Sequence, residues 1–185
     1  MGISCLFRFH RTLALATLLS VASAVSAQDF IVYDSIPQLE SRIKQAGDGV
    51  LIINFWATWC KPCVEELPCF DELREHYAAQ NVQVLLVSLD FRSQLEKKFI
   101  PFLRNQKLKS EVVLLADQDV NTWIPRIHDA WDGAIPATLV LKGRKRDFNL
   151  GKFDNFEDLE KFVRPFLDDS SALIIRKPLQ CNGGK

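Results

Sequence analysis

Val50 to Ala57 reads VLIINFWA, a run of strand length that carries no charge and is rich in β-branched and aromatic side chains. A strand with one wet face alternates apolar and polar residues, so a run that does not alternate is covered on both faces. It belongs in the middle of a sheet, with helices above and below.

The remaining segments supply such a sheet. VQVLLVSLD (Val82 to Asp90) reads as a second buried strand, FIVYDS (Phe30 to Ser35) as a short one and EVVLLA (Glu111 to Ala116) as another. ATLVLK (Ala137 to Lys142) and RDFNLG (Arg146 to Gly151) are separated by GRK, a link too short for anything but a hairpin. Between them lie helical patterns. IPQLESRIKQAG has Pro37 in its first turn and Gly47 as its stop. From Cys60 to about Gln80 the residues Val64, Leu67, Phe70, Leu73 and Tyr77 form a buried stripe, and Pro68 inside it is expected to bend the helix. Ser93 and Glu96 have capping-box spacing and predict a helix to about Leu108. Asp119 to His128 predicts a short helix interrupted by Pro125, and Phe156 to Leu167 the last one. Alternating strands and helices predict an α/β protein, parallel in the middle with an antiparallel edge.

Residues 1–27 are of another kind. Arg8, His10 and Arg11 precede the apolar LALATLLSVASAV, and Val25 and Ala27 are the small residues of a cleavage site, so a signal peptide is expected. The apolar part is short for a permanent span, and an uncleaved membrane anchor is the alternative. Cys5 lies ahead of that segment and would leave with it. Cleavage near Ala27 turns 23 basic and 23 acidic residues into 21 and 23, because Arg8 and Arg11 go and no acid does. The exported chain, periplasmic or secreted, is weakly acidic and has no basic footprint for nucleic acid. A single domain over 28–168 and a flexible tail over 169–185 are expected.

Four cysteines stay with that chain: Cys60, Cys63, Cys69 and Cys181. In an oxidising compartment disulfides persist, yet a chain this long can be stable without them, which favours cysteines kept for chemistry. Cys60 falls where the buried strand gives way to a helix, and a helix N-terminus favours a thiolate. The dipole contributes up to ~2 kcal/mol, or about 1.5 pKa units, toward ionising a thiol there, and Lys61 adds positive charge. Cys63 lies one turn on, placed to attack a mixed disulfide formed at Cys60. Pro62 has no N–H to lose in a first turn and stiffens the link. Two blander readings are weaker. A structural bridge here would close a very small loop and constrain little of the unfolded chain. A zinc site needs two more ligands, and neither a second close cysteine pair nor a histidine pair is present.

NFWATWCKPC, the downstream EELP and GAIPATLV together resemble the thioredoxin superfamily, and within it the exported TlpA/ResA-like thiol-disulfide oxidoreductases. The likeness covers about Val50 to Leu167. It implies a thioredoxin fold, a central mixed sheet flanked by helices, with an N-terminal βα extension at Phe30 to Gly47 and a TlpA-type helix–strand insertion at about 93–116. By that resemblance Cys60 is the attacking cysteine, Cys63 the buried resolving one, Pro136 the cis-proline facing the disulfide and Ile135 the residue that offers its backbone to substrate. Plain thioredoxin has a buried aspartate where this chain has Asn54, so the proton acceptor for Cys63 must lie elsewhere. Asp90, at the end of the neighbouring strand, is a candidate, with Glu65 and Glu66 as others, although acids in a first helical turn also serve the dipole. Trp59 and Trp131 are expected to flank the pair as an apolar platform for a substrate protein, with core packing as the alternative. The KGRKR cluster, Lys142 to Arg146, reads as a solvated turn rather than a docking patch. Cys69 is a buried apolar residue or the partner of Cys181.

The resemblance implies protein-disulfide reduction, for instance of apocytochromes, with disulfide-bearing proteins as substrates and a membrane thiol protein as electron donor. No cofactor is expected beyond the Cys60–Cys63 couple. Direction is not set by these residues, since potentials of proteins with this fold span about −270 to −120 mV, ~7 kcal/mol of tuning. An oxidase or isomerase of the same fold, and a copper-binding chaperone, are the alternatives. The chaperone generally needs wider cysteine spacing and a placed histidine.

Overall fold

Residues 29–168 are described by a computed structural model. The expected leader and tail, and with them Cys5 and the Cys69–Cys181 pairing, lie outside those residues. Eleven principal elements follow in order: β1 (Phe30–Tyr33), α1 (Ile36–Gln45), β2 (Val50–Trp56), α2 (Lys61–His76), β3 (Val82–Ser88), α3 (Ile100–Gln106), β4 (Glu111–Leu115), α4 (Val120–Ile127), β5 (Ala137–Lys142), β6 (Lys145–Leu150) and α5 (Phe156–Val163). They form a thioredoxin fold. The six strands make one sheet in the order β1-β4-β3-β2-β5-β6, parallel from β1 to β2 and antiparallel from β2 to β6.

The run that opened the sequence reading is β2, with every residue buried and a strand bonded on each side. Successive side chains of a strand point to opposite faces, and here that parity builds two cores. Ile52 and Trp56 pack under α2 and α5 with Leu67, Phe70, Leu73 and Leu159. Leu51, Ile53 and Phe55 pack under α1 and α4 with Leu39, Trp123 and Ile127. Asn54 has the parity of Ile52 and Trp56, so its amide faces α2. That single fact of register matters for the site.

Two helical expectations are corrected. Ser93 and Glu96 make no capping box, because the segment enters as a 3₁₀ turn (Arg92–Gln94) and a π turn (Leu95–Phe99) before α3 begins. Pro101 has no N–H to give to the carbonyl four residues back, and the wide turn comes directly ahead of it. Pro125 does not interrupt α4, which runs through it. It sits in the last turn, where the carbonyl it leaves unbonded belongs to exposed Asn121. α2 likewise continues past Pro68.

β1 and β4 pair with each other, and Arg42 of α1 fastens this edge. Its guanidinium donates to Glu111 at 3.0, 3.1 and 2.7 Å and to Gln83 at 3.0 Å. The pair is only partly exposed, and the Glu111 hydrogen bond holds the Arg42 pKa above its ordinary value. Arg42→Ala is expected to cost about 2 kcal/mol, the scale for losing charge-assisted bonds, read as a shifted midpoint in chemical denaturation. At the β5–β6 hairpin, Lys142 pairs with Asp168 at 2.6 Å, while Lys145 donates to the Pro165 carbonyl at 2.7 Å and covers the Phe166 ring. Those two cations of the basic cluster are held by the chain itself. Among the described residues no helix is long and apolar enough to cross a membrane.

Candidate active site

β2 ends at Trp56 and α2 begins at Lys61, leaving a short turn that carries Cys60 as the N-terminal cap of α2. The turn is pinned from both sides. Cys60 N–H donates to the Ala57 carbonyl at 3.0 Å. Thr58 donates its N–H to Asp90 at 2.9 Å and its hydroxyl at 2.6 Å. Asp90 is itself fixed by the Ser88 hydroxyl at 2.8 Å. Cys60 and Cys63 are joined, S–S 2.01 Å. Cys63 is fully buried, while Cys60, buried too, retains 7 % exposure, so of the two it is the one nearer solvent. The Ile135–Pro136 bond is cis, and Cys60 Sγ lies 3.8 Å from the Ile135 carbonyl oxygen. Trp59 is 59 % exposed and walls a cleft of about 470 Å³ with Phe102 and Pro68. Lys61 and Pro62 are exposed. The Lys61 ammonium stands 4.0 Å from Glu65, which also pairs with Lys152 at 3.2 Å, so part of its charge is answered before it reaches the sulfur.

One expected role changes. Trp131 is 4 % exposed and packs on Phe55, Trp123 and Phe148, so it is no platform for a partner. Its indole N–H donates to the Ala134 carbonyl at 2.8 Å and thereby holds the loop that presents Ile135. Asp90 shapes the turn: its carboxylate accepts from the Thr58 N–H, the Thr58 hydroxyl and the Ser88 hydroxyl.

A second buried carboxyl is Glu66, 1 % exposed and one helical turn beyond Cys63 on the same helix. It accepts from the Asn54 amide at 2.9 Å and from the Phe153 N–H at 2.9 Å. Burial raises its pKa from 4.5 to about 7, against the lowering effects of those two bonds and of Lys152. Asn54 donates also to Thr138 Oγ1 at 3.1 Å, and its own Oδ1, buried, has no partner among the described residues. The signal for Glu66 was present in the sequence as the parity of Asn54 in β2 and the three-residue step from Cys63.

A thioredoxin fold with a vicinal cysteine pair at the cap of α2 defines the class of protein. A model of the AhpC/TSA family matches residues 25–145, more than half of the chain, and the chain belongs to that family of thioredoxin-like proteins. It is 31% identical over 124 residues to the thioredoxin-like protein YneN of Bacillus subtilis, covering 66% of this chain and 68% of YneN. It is 39% identical over 70 residues to the thiol-disulfide oxidoreductase ResA of Geobacillus thermodenitrificans, covering 38% of this chain and 40% of ResA. That match spans about two fifths of the relative's length. Among solved structures, the thioredoxin domain of a thiol-disulfide oxidoreductase from Bacteroides vulgatus superposes with a TM-score of 0.54 at 19% identity, over 68% of this chain and 84% of that one, a likeness of fold.

Proposed function

We propose that this protein is an extracytoplasmic thiol-disulfide oxidoreductase that reduces disulfides in other proteins through the Cys60–Cys63 couple, with no further cofactor. The observation that carries the reading is the asymmetry of the pair: one sulfur at a helix cap beside the Ile135–Pro136 loop, the other in a fully buried residue one helical turn before a buried carboxyl. In the reduced state the Cys60 thiolate attacks a substrate disulfide. A mixed disulfide forms and one substrate sulfur leaves as a thiolate, which takes a proton from water. Glu66, ionised, accepts the proton of Cys63, whose thiolate attacks Cys60 Sγ. The second substrate sulfur leaves, the Cys60–Cys63 bond closes, and two electrons have passed to the substrate. A thiol protein of the membrane then returns two electrons to the couple. Residues 1–27, read as a leader, support the compartment, and the ResA and YneN likenesses support the chemistry.

The test is insulin reduction with dithiothreitol as donor, together with the redox potential of the couple. Activity absent from a Cys60→Ser, Cys63→Ser variant and a potential below about −200 mV are expected. Equal activity in that variant would remove the reading, and a potential near −120 mV would make the protein an oxidant instead.

A further inference from the structure

The ends of β3 and β4 border a cavity of about 460 Å³ that the exchange chemistry leaves unused. It falls within the ~300–1,000 Å³ range of ligand pockets and at the carboxyl ends of parallel strands, where α/β sheets hold their ligands. Two of its walls are the segments that frame Cys60. Asp90 stands on one and fixes the turn at Thr58. Asp132 and Gly133 stand on the other and lead straight to Ile135. Gly133 has φ +91°, and a Cβ there would meet Ile124 Cδ1 at 2.8 Å, so this wall lies directly against α4.

The lining is apolar where it is deep and acidic where it meets water. Trp123 is buried beneath it, while Phe91 and Val120 are 62 % and 43 % exposed. Large apolar side chains kept in water around one cavity mark a binding surface. Asp117 and Asp132 add negative charge, and the cation on the wall, Arg92, is already paired with Asp34. A polypeptide that pairs with the Ile135 backbone is extended, advances ~3.3 Å per residue and turns alternate side chains to the same face. A residue two positions from the attacked cysteine therefore arrives opposite Gly133, at the cavity.

We propose that this cavity is a specificity subsite for the polypeptide whose disulfide Cys60 attacks, taking an aliphatic side chain two residues from that cysteine with a lysine or arginine next to it. This rests on the thiol-disulfide reading above and gives it a substrate class. The probes are short peptides with one cysteine held as a mixed disulfide with a thionitrobenzoate leaving group. Either Leu-Lys, Leu-Glu or Gly-Gly begins two residues after or two residues before the cysteine. Exchange is followed with the whole exported chain in its reduced form, and a free aryl disulfide monitors the couple alone. In one of the two directions, the Leu-Lys probe is expected to react about tenfold faster than Gly-Gly, the scale of a filled apolar pocket, with Leu-Glu in between. In a Phe91→Ser, Val120→Ser variant, whose changes lie at exposed positions, that ratio should fall to near one with the aryl disulfide rate within about twofold of wild type. No preference in either direction, or a preference the variant keeps, overturns the subsite. If no disulfide reacts at all, the thiol-disulfide reading is what has failed. Anisotropy of serine-for-cysteine Leu-Lys and Gly-Gly probes on the oxidised chain then decides the cavity: tighter Leu-Lys binding lost in the variant upholds it, and equal binding overturns it.

Discussion

Cys63→Ala is expected to stop turnover and to leave the protein covalently attached to its substrate through Cys60. The reason lies in the two exposures. Cys60, reachable at the cap of α2, still attacks, while the sulfur that would displace the substrate, sealed at 0 %, is gone. An intramolecular thiol acts at effective molarities that reach ~10⁵ M when well oriented, and millimolar external thiol cannot replace it, so insulin reduction should fall by ~10³-fold or more. Mass spectrometry without reductant should find the adduct near stoichiometric in Cys63→Ala and absent in Cys60→Ala. Adducts forming instead on Cys63 of the Cys60→Ala chain would reverse the assignment of the two sulfurs.

How much of this was legible depended on whether the deciding contact was local. VLIINFWA declared β2 because an unbroken apolar run has one explanation, and the GRK link declared the β5–β6 hairpin because so short a link permits nothing else. Cys60 at a helix cap followed from the strand ending before it. The anchoring of the turn by Asp90 was not legible because its partner, Thr58, lies 32 residues away in sequence and only the pairing of β2 with β3 brings them together. Trp131 sits in a loop rich in glycine and aspartate, which reads as exposed, and Phe55, Trp123 and Phe148 bury it from three different elements. Glu66 read as one of two interchangeable acids near a helix start. The rotation of α2 separates them, turning Glu66 toward Asn54 and leaving Glu65 beside Lys61 and Lys152. Over 93–116 the spacing of Ser93 and Glu96 was outweighed by Pro101, whose effect on the turn ahead of it no capping pattern records.

Glu66→Gln is expected to separate the cost of this carboxyl from its use. With a pKa raised from 4.5 to about 7 by burial, Glu66 keeps its proton in the folded chain over a range where the unfolded chain has released it. The folded state binds the extra proton, so stability is greatest below pH ~4.5 and declines as pH rises through ~7, by on the order of 3 kcal/mol. Glutamine has no proton to lose, and denaturation of the oxidised variant at pH 5 and pH 8 should show that slope flattened. The substitution keeps most of the local hydrogen bonds. The carbonyl oxygen of the introduced amide still accepts from Phe153 N–H, and its nitrogen donates to the Asn54 oxygen once the Asn54 amide turns over, where Thr138 can donate to it as well; the turned Nδ2 then takes the buried place of Oδ1, which has no partner among the described residues, so a cost equal at both pH values accompanies the flattened slope. Catalysis has no such substitute. Without an acceptor for the Cys63 proton, closure of the disulfide should slow by ~10²-fold near neutral pH, the scale of a lost general base. Stopped-flow tryptophan fluorescence would follow it, and a wild-type closing rate with an unchanged pH profile would show that Glu66 only fills space.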